Sequence, residues 1–232
     1  MTEVKIGAAV LEKDFEQLEK RVHEARDVVD FIQIDVCDGK FVPSKTVGSA
    51  GCADSFKRIA KLSSRSTKFE LELDMMVHLD TPVTGRFEKW LNAINIAKPE
   101  RVVFHYGSTD RWEEVFKYLK DRKLKVKVGL GVHLHHKNSN ILKLLDKYPF
   151  KYIQVMGIEK VGFGGQKFSN KALTKIKALK KALPKLEISV DGAVKVENAN
   201  KLVKAGATRL TSGSGLFKYK DGINEAVRLM KA

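Results

Sequence analysis

Short apolar stretches rich in β-branched residues alternate with longer amphipathic ones along the whole chain. The first kind predicts strands over Lys5–Val10, Phe31–Cys37, Phe69–Met76, Arg101–Tyr106, Lys125–Val132, Tyr152–Met156, Leu186–Val190 and Arg209–Ser212. The second predicts helices near 14–27, 48–61, 84–97, 110–122, 138–147, 170–183, 195–205 and 221–231. Alternation of this kind implies parallel strands joined by crossover helices. Eight such units in 232 residues match a (β/α)8, or TIM, barrel, whose typical size is about 250 residues. A doubly wound open sheet is the alternative, because periodicity does not report closure. No stretch rich in Pro, Ser or Gly reads as a linker, so residues 1–232 are expected to form one α/β domain.

In such a barrel the carboxyl ends of the strands carry the chemistry, and side chains alternate faces along each strand. In F-I-Q-I-D-V-C, Ile32, Ile34 and Val36 suit the helix layer, which turns Gln33, Asp35 and Cys37 inward. The same parity turns Glu72, Asp74 and Met76 inward on the third strand, and Glu187, Ser189 and Asp191 inward on the seventh. Polar residues facing a barrel interior near its top are poor packing and good chemistry.

Three glycine-bearing loops follow the last strands: V-G-F-G-G-Q-K-F (161–168), V-D-G-A-V (190–194) and T-S-G-S-G-L-F (211–217). Each alone is an ordinary tight turn. Together, on this architecture, they predict a phosphate cradle of backbone N–H groups, aided by the amino end of a short extra helix. Its candidate residues are Gly162, Gly164, Gly165, Gln166, Gly192, Ala193, Gly213 and Ser214.

Composition narrows the class. Hydrophobic content of 43% with 31% charged residues is that of a soluble globular protein. No apolar run reaches the roughly 18 residues of a membrane span, and the amino-terminal segment lacks the apolar core of a signal peptide. Cys37 and Cys52 are too few for a disulfide framework, so the cytoplasm is the expected location. The net charge of +15 could draw nucleic acid or anionic metabolites. Its lysines, however, spread along helical stretches (Lys171, Lys175, Lys177, Lys180, Lys181, Lys185) with no aromatic-interleaved basic motif. An anionic, phosphate-bearing metabolite is therefore the expected partner, and neither nucleic acid nor membrane is. Oligomeric state is left open, a homo-oligomer included.

Several ordered blocks resemble the ribulose-phosphate 3-epimerases. They are I-D-V-C-D-G-K-F-V-P (34–43), D-M-M-V (74–77), F-H (104–105), V-G-L-G (128–131), V-M (155–156), G-F-G-G-Q-K-F (162–168), V-D-G (190–192) and A-G-A-x-x-L-x-S-G-S-G-L-F (205–217). The resemblance implies a barrel of the ribulose-phosphate-binding type, a phosphorylated pentulose substrate, and epimerisation at carbon 3 by two aspartates flanking a divalent metal. Those aspartates match Asp35 and Asp191, the catalytic candidates. One carboxylate removes the proton beside the carbonyl and the other returns one to the opposite face. Met76 and Met156 match methionines lining the family's site, and His105 matches a residue able to touch substrate or to make a barrel hydrogen bond.

The pattern breaks at the metal. Two histidines of the family's site are replaced by Gln33 and Asp74, and its serine after the first strand becomes Glu12. Glu12, Asp35, Asp74 and Asp191 would bring four carboxylates to one barrel mouth. Such a set needs a cation, a lysine such as Lys13, Lys40 or Lys160, or a retained proton. The expected metal ligands are Asp35, Asp74 and Asp191, with Gln33 as a further candidate, and oxygen ligands favour Mg²⁺ or Mn²⁺ over Zn²⁺. The alternatives are a sugar-phosphate binder without turnover and a barrel with a changed reaction. A Schiff-base aldolase is disfavoured, because Lys125 and Lys127 begin their strand at the wrong end. His133, His135 and His136 read as an exposed loop, His78 as a distant candidate for a lost imidazole, and Cys37 as pocket wall.

Overall fold

The computed structural model describes residues 3–63, 69–80 and 86–232. Its elements run β1 (Lys5–Val10), α1 (Phe15–Ala25), β2 (Phe31–Cys37), α2 (Ala53–Leu62), β3 (Glu70–Met76), α3 (Arg86–Ala97), β4 (Arg101–His105), α4 (Trp112–Asp121) and β5 (Lys127–Val132). There follow α5 (Asn138–Lys147), β6 (Tyr152–Met156), α6 (Lys171–Ala182), β7 (Glu187–Asp191), α7 (Val196–Ala205), β8 (Arg209–Ser212), α8 (Ser214–Phe217) and α9 (Ile223–Lys231). Each strand pairs in parallel with the next and β8 pairs with β1, so the sheet closes into a barrel and the open-sheet alternative is excluded.

Predicted and observed strands agree closely, with one consequential shift. β7 ends on Asp191 rather than Val190, which fixes that aspartate within the sheet. The helix predicted from 48 starts only at Ala53. Gly48 and Gly51 take φ of 83° and 62°, left-handed values that a helix does not adopt. The predicted start of the third helix, at 84, lies outside the described residues.

The core is the layer between sheet and helices. Ile32, Ile34 and Val36 of β2, Leu71 and Leu73 of β3, and Ile188 and Val190 of β7 are all buried there. That leaves the opposite parity for the barrel interior, as the alternation predicts. The amino end of the interior is filled by a charged plug. Arg101 Nε sits 2.8 Å from Glu72 Oε2, and Arg209 Nη2 lies 3.1 Å from Glu70 and 3.4 Å from Glu72. The two guanidinium groups stack 3.7 and 3.8 Å from the ring centroids of Tyr152 and Phe31, and Arg101 also pairs with Glu187. Glu72 and Glu187 therefore belong to a structural network at the floor, not to the chemistry near the top. Alternation gives their direction correctly but carries no information on height.

No helix among the described residues is long and apolar enough to cross a membrane.

Candidate active site

The carboxyl ends of the strands open onto a cavity of about 360 Å³. Every glycine-loop candidate lines it: Gly162, Gly164, Gly165, Gln166, Gly192, Ala193, Gly213 and Ser214, together with Met76, Met156, Asp35 and Asp191. The loops after β6, β7 and β8 thus share one wall, although they lie far apart in sequence. Close approach dictates the glycines between them. A Cβ on Gly157 would run into the Gly192 carbonyl, whose peptide turns with φ 105°. Ala193 follows at φ 54°, a left-handed conformation that costs an alanine about 1–2 kcal/mol.

The acidic centre lies beneath this wall. One carboxylate oxygen each from Asp35, Asp74 and Asp191 falls within 4.8 Å of the others, and all three residues are buried. Asp35 and Asp74 are register partners on β2 and β3. Asp191 arrives from β7, across the barrel. Gln33 joins them: its Nε2 donates to Asp35 Oδ1 at 2.9 Å and to Asp191 Oδ2 at 3.2 Å. Asp74 is held by two donors of its own, His105 Nε2 on Oδ1 at 2.7 Å and Gln154 Nε2 on Oδ2 at 2.9 Å. The His105 ring has room because Gly131 faces it; a Cβ there would stand 2.8 Å from His105 Nδ1.

Burial and mutual repulsion govern the charges. Burial first, then the Asp191 and Asp74 carboxylates, push Asp35 well above the usual carboxylate range. Burial and the Asp74 charge push Asp191 up to about 7, against hydrogen bonds from Gln33 and the Gly192 N–H. Among the described residues no lysine or arginine forms an ion pair with Asp35 or Asp191, which leaves a cation or a retained proton of the three ways to balance the cluster. Glu12 reaches the cavity rim and pairs instead with Arg21, Oε1 to Nε at 3.6 Å.

A divalent cation fits this donor set. Three carboxylates cluster in a buried volume, and Gln33 Oε1 is itself buried with no hydrogen-bonding partner among the described residues. Rotating that amide about its last bond exchanges a donor for a fourth hard oxygen. Asp74 keeps lone pairs beyond those its two donors use. Gln154 and His105 then orient a ligating carboxylate in the manner of outer-shell partners.

Some expectations change. His105 does not line the cavity; it is fully buried and bonded to Asp74 and, through Nδ1, to His133 Nε2 at 3.0 Å. His133 is thus half-buried behind the site, and only His135 of the trio is exposed. His78 is absent from the acidic cluster; its N–H donates to Asp38 Oδ2 and its ring packs on Phe41. Cys37 is fully buried with Met76, Met156 and Val42. Burial and the charges of Asp35 and Asp74 keep its thiol protonated, and it packs behind Met76 and Met156 rather than lining the cavity itself. Sequence reading does not single out Arg21 and Lys218, which line the cavity beside Gly213 and Ser214. Arg21 belongs to α1, where its spacing reads as helix surface.

The profile of the ribulose-phosphate 3-epimerase family matches residues 5–217. The chain belongs to that family. Curated ribulose-phosphate 3-epimerases similar to it include that of Methanocaldococcus jannaschii, 30% identical with 98% of this chain and 90% of the relative covered. That of Eremothecium gossypii is 27% identical, with 93% and 87% covered. Among solved structures, a ligand complex of KGPDC from Streptococcus mutans superposes with a TM-score of 0.72 at 13% identity, covering 98% of this chain and 95% of that one. The 3-hexulose-6-phosphate synthase of Salmonella typhimurium gives 0.69 at 15%, covering 98% and 96%. At such identities the likeness is one of fold.

Proposed function

We propose that this epimerase-family member interconverts ribulose 5-phosphate and xylulose 5-phosphate by proton transfer at carbon 3. The observation that carries the reading is the meeting of Asp35 and Asp191, from opposite sides of the barrel, beneath a wall of three glycine loops. The phosphate rests on backbone N–H groups of the loops around Gly164, Gly192 and Gly213, with Arg21 and Lys218 adding positive charge at the rim. Carbons 2 and 3 then reach down to the aspartates, and Met76 and Met156 exclude water around them.

One aspartate, ionised, takes the carbon 3 proton, while the other, protonated, delivers one from the opposite face. The raised affinities for protons suit this. In the metal-free site burial and Asp74 raise Asp191 to about 7, so there it gains and loses a proton near neutral pH, the range in which general acid–base transfer is most efficient. Without an ion, Gln33 Nε2 bridges the two carboxylates; turned over, the same amide offers Oε1 to a cation in place of that bridge. Asp35, Asp74, Asp191 and Gln33 Oε1 would hold a Mg²⁺ or Mn²⁺ ion, which when bound would supply positive charge beside the reacting carbons.

The competing reading, a sugar-phosphate binder without turnover, draws on the same amide, since Gln33 satisfies both aspartates without any ion. Chelator-treated protein given back Mg²⁺, Mn²⁺ or Zn²⁺ separates the readings. Formation of xylulose 5-phosphate with Mg²⁺ or Mn²⁺ supports the epimerase. Protection of the fold by ribulose 5-phosphate with no turnover under any metal supports the binder.

A further inference from the structure

Beyond β5 the chain reads H-L-H-H (133–136), and the proton transfer above uses none of these imidazoles at the reacting carbon. We propose that His133, His135 and His136 form a second, separate site for a borderline divalent transition-metal ion of the zinc, nickel or copper class. One nitrogen from each ring lies within 4.8 Å of the others. Three imidazole nitrogens around one ion, each about 2.0–2.1 Å away, stand closer than that to one another, so the rings must draw in by about an ångström. His135 is exposed and the other two are half-buried, which leaves the rings free to make that adjustment by side-chain rotation.

The hydrogen bonds fix which nitrogens are available. With Asp74 ionised, His105 Nε2–H donates to it at 2.7 Å, and His105 Nδ1 is left as an acceptor. His133 Nε2–H donates to that nitrogen at 3.0 Å. His133 Nδ1 therefore keeps its lone pair, the tautomer a metal needs. A carboxylate or another acceptor behind a ligating imidazole is the usual outer shell of such sites. His136 Nδ1 accepts only the His133 backbone N–H, at 3.1 Å, a single long bond for the ion to replace.

The loop is anchored rather than loose. Lys175 Nζ donates to the His136 carbonyl at 2.6 Å and to Asn138 Oδ1 at 3.0 Å. Its ammonium opposes a cation; the carboxylate of Glu159, held by Ser169 and Lys171 at 3.0 and 3.1 Å, lies within electrostatic reach of His135. Ligand type separates the two centres: imidazole nitrogens select zinc, nickel or copper, and the aspartate oxygens select magnesium or manganese. Occupancy of the imidazole site would also reach Asp74, through His133 and His105.

The test is a Zn²⁺ titration of the chelator-treated full chain by calorimetry, wild type against His135→Ala and His136→Ala. The proposal expects one Zn²⁺ equivalent whose affinity falls in both variants by more than the 10- to 100-fold that loss of an outer-shell partner costs. Mn²⁺ binding, followed by electron paramagnetic resonance, should be the same in all three proteins. Zinc stoichiometry and affinity unchanged in both variants would overturn the proposal.

Discussion

Gln33 Nε2 donates to Asp191 Oδ2 at 3.2 Å across a sequence separation of 158 residues. The same nitrogen donates to Asp35 Oδ1 at 2.9 Å, so one amide ties together the two carboxylates assigned to proton transfer. Where the family resemblance implies an imidazole, this chain keeps a polar group that can offer either a donor or a hard oxygen.

Replacing either carboxylate should end turnover without ending binding. Asp35→Asn and Asp191→Asn each remove a general acid–base, an effect of at least about 10²–10⁴-fold on kcat. Ribulose 5-phosphate should still protect both variants against thermal unfolding, since ligand at about 100 times its Kd contributes about 2.7 kcal/mol. A thermal shift beside a steady-state assay checks both halves.

The acidic centre costs stability when ionised. Asp191 rises from the ordinary carboxylate range to about 7 in the fold, so between roughly pH 4 and 7 the native state binds the extra proton and raising pH destabilises it. In chelator, Asp191→Asn should therefore be more stable than wild type at pH 8, by an amount on the order of 1–4 kcal/mol at about 1.4 kcal/mol per unit. The advantage should shrink steadily as pH falls below 7. Denaturant unfolding at pH 8 and pH 5 measures it, and an advantage independent of pH would refute the assignment.

Removing an outer support should loosen the ion's hold. Gln154 Nε2 is 2.9 Å from Asp74 Oδ2. Gln154→Leu should weaken Mn²⁺ binding by about 10–100-fold, read by paramagnetic resonance, with little change in ribulose 5-phosphate binding.

The floor of the barrel makes a different prediction. Glu72 is fully buried between Arg101 and Arg209, and Glu72→Gln leaves both guanidinium groups short of countercharge. A loss of about 3–5 kcal/mol is expected in denaturant unfolding, with the cavity at the other end unaltered.

These two ends show what the sequence made legible. Period-two alternation identifies the strands and the inward parity of Gln33, Asp35, Asp74 and Asp191, because a strand has only two faces. Glu72 and Asp74 share that parity, yet one neutralises arginines at the floor and the other joins the acidic centre. Their height in the barrel follows from the stagger of closure, which no local pattern encodes. The glycine loops were legible from their composition and their place after the last strands; close approach accounts for Gly162 and Gly192, where a Cβ would crowd Val42 and Ile158, whereas Gly164 and Gly165 face open space. The contact of His133 with His105 was not, since it depends on Gly131 making room for the ring on a neighbouring strand.

The most direct test of the proton-transfer account is ribulose 5-phosphate incubated with the protein in D₂O, with Mn²⁺ or Mg²⁺ returned to chelator-treated samples, followed by NMR at carbon 3. The account predicts deuterium at that carbon together with xylulose 5-phosphate, and neither product in Asp35→Asn or Asp191→Asn. Bound sugar phosphate with no exchange at carbon 3 under either metal would contradict it.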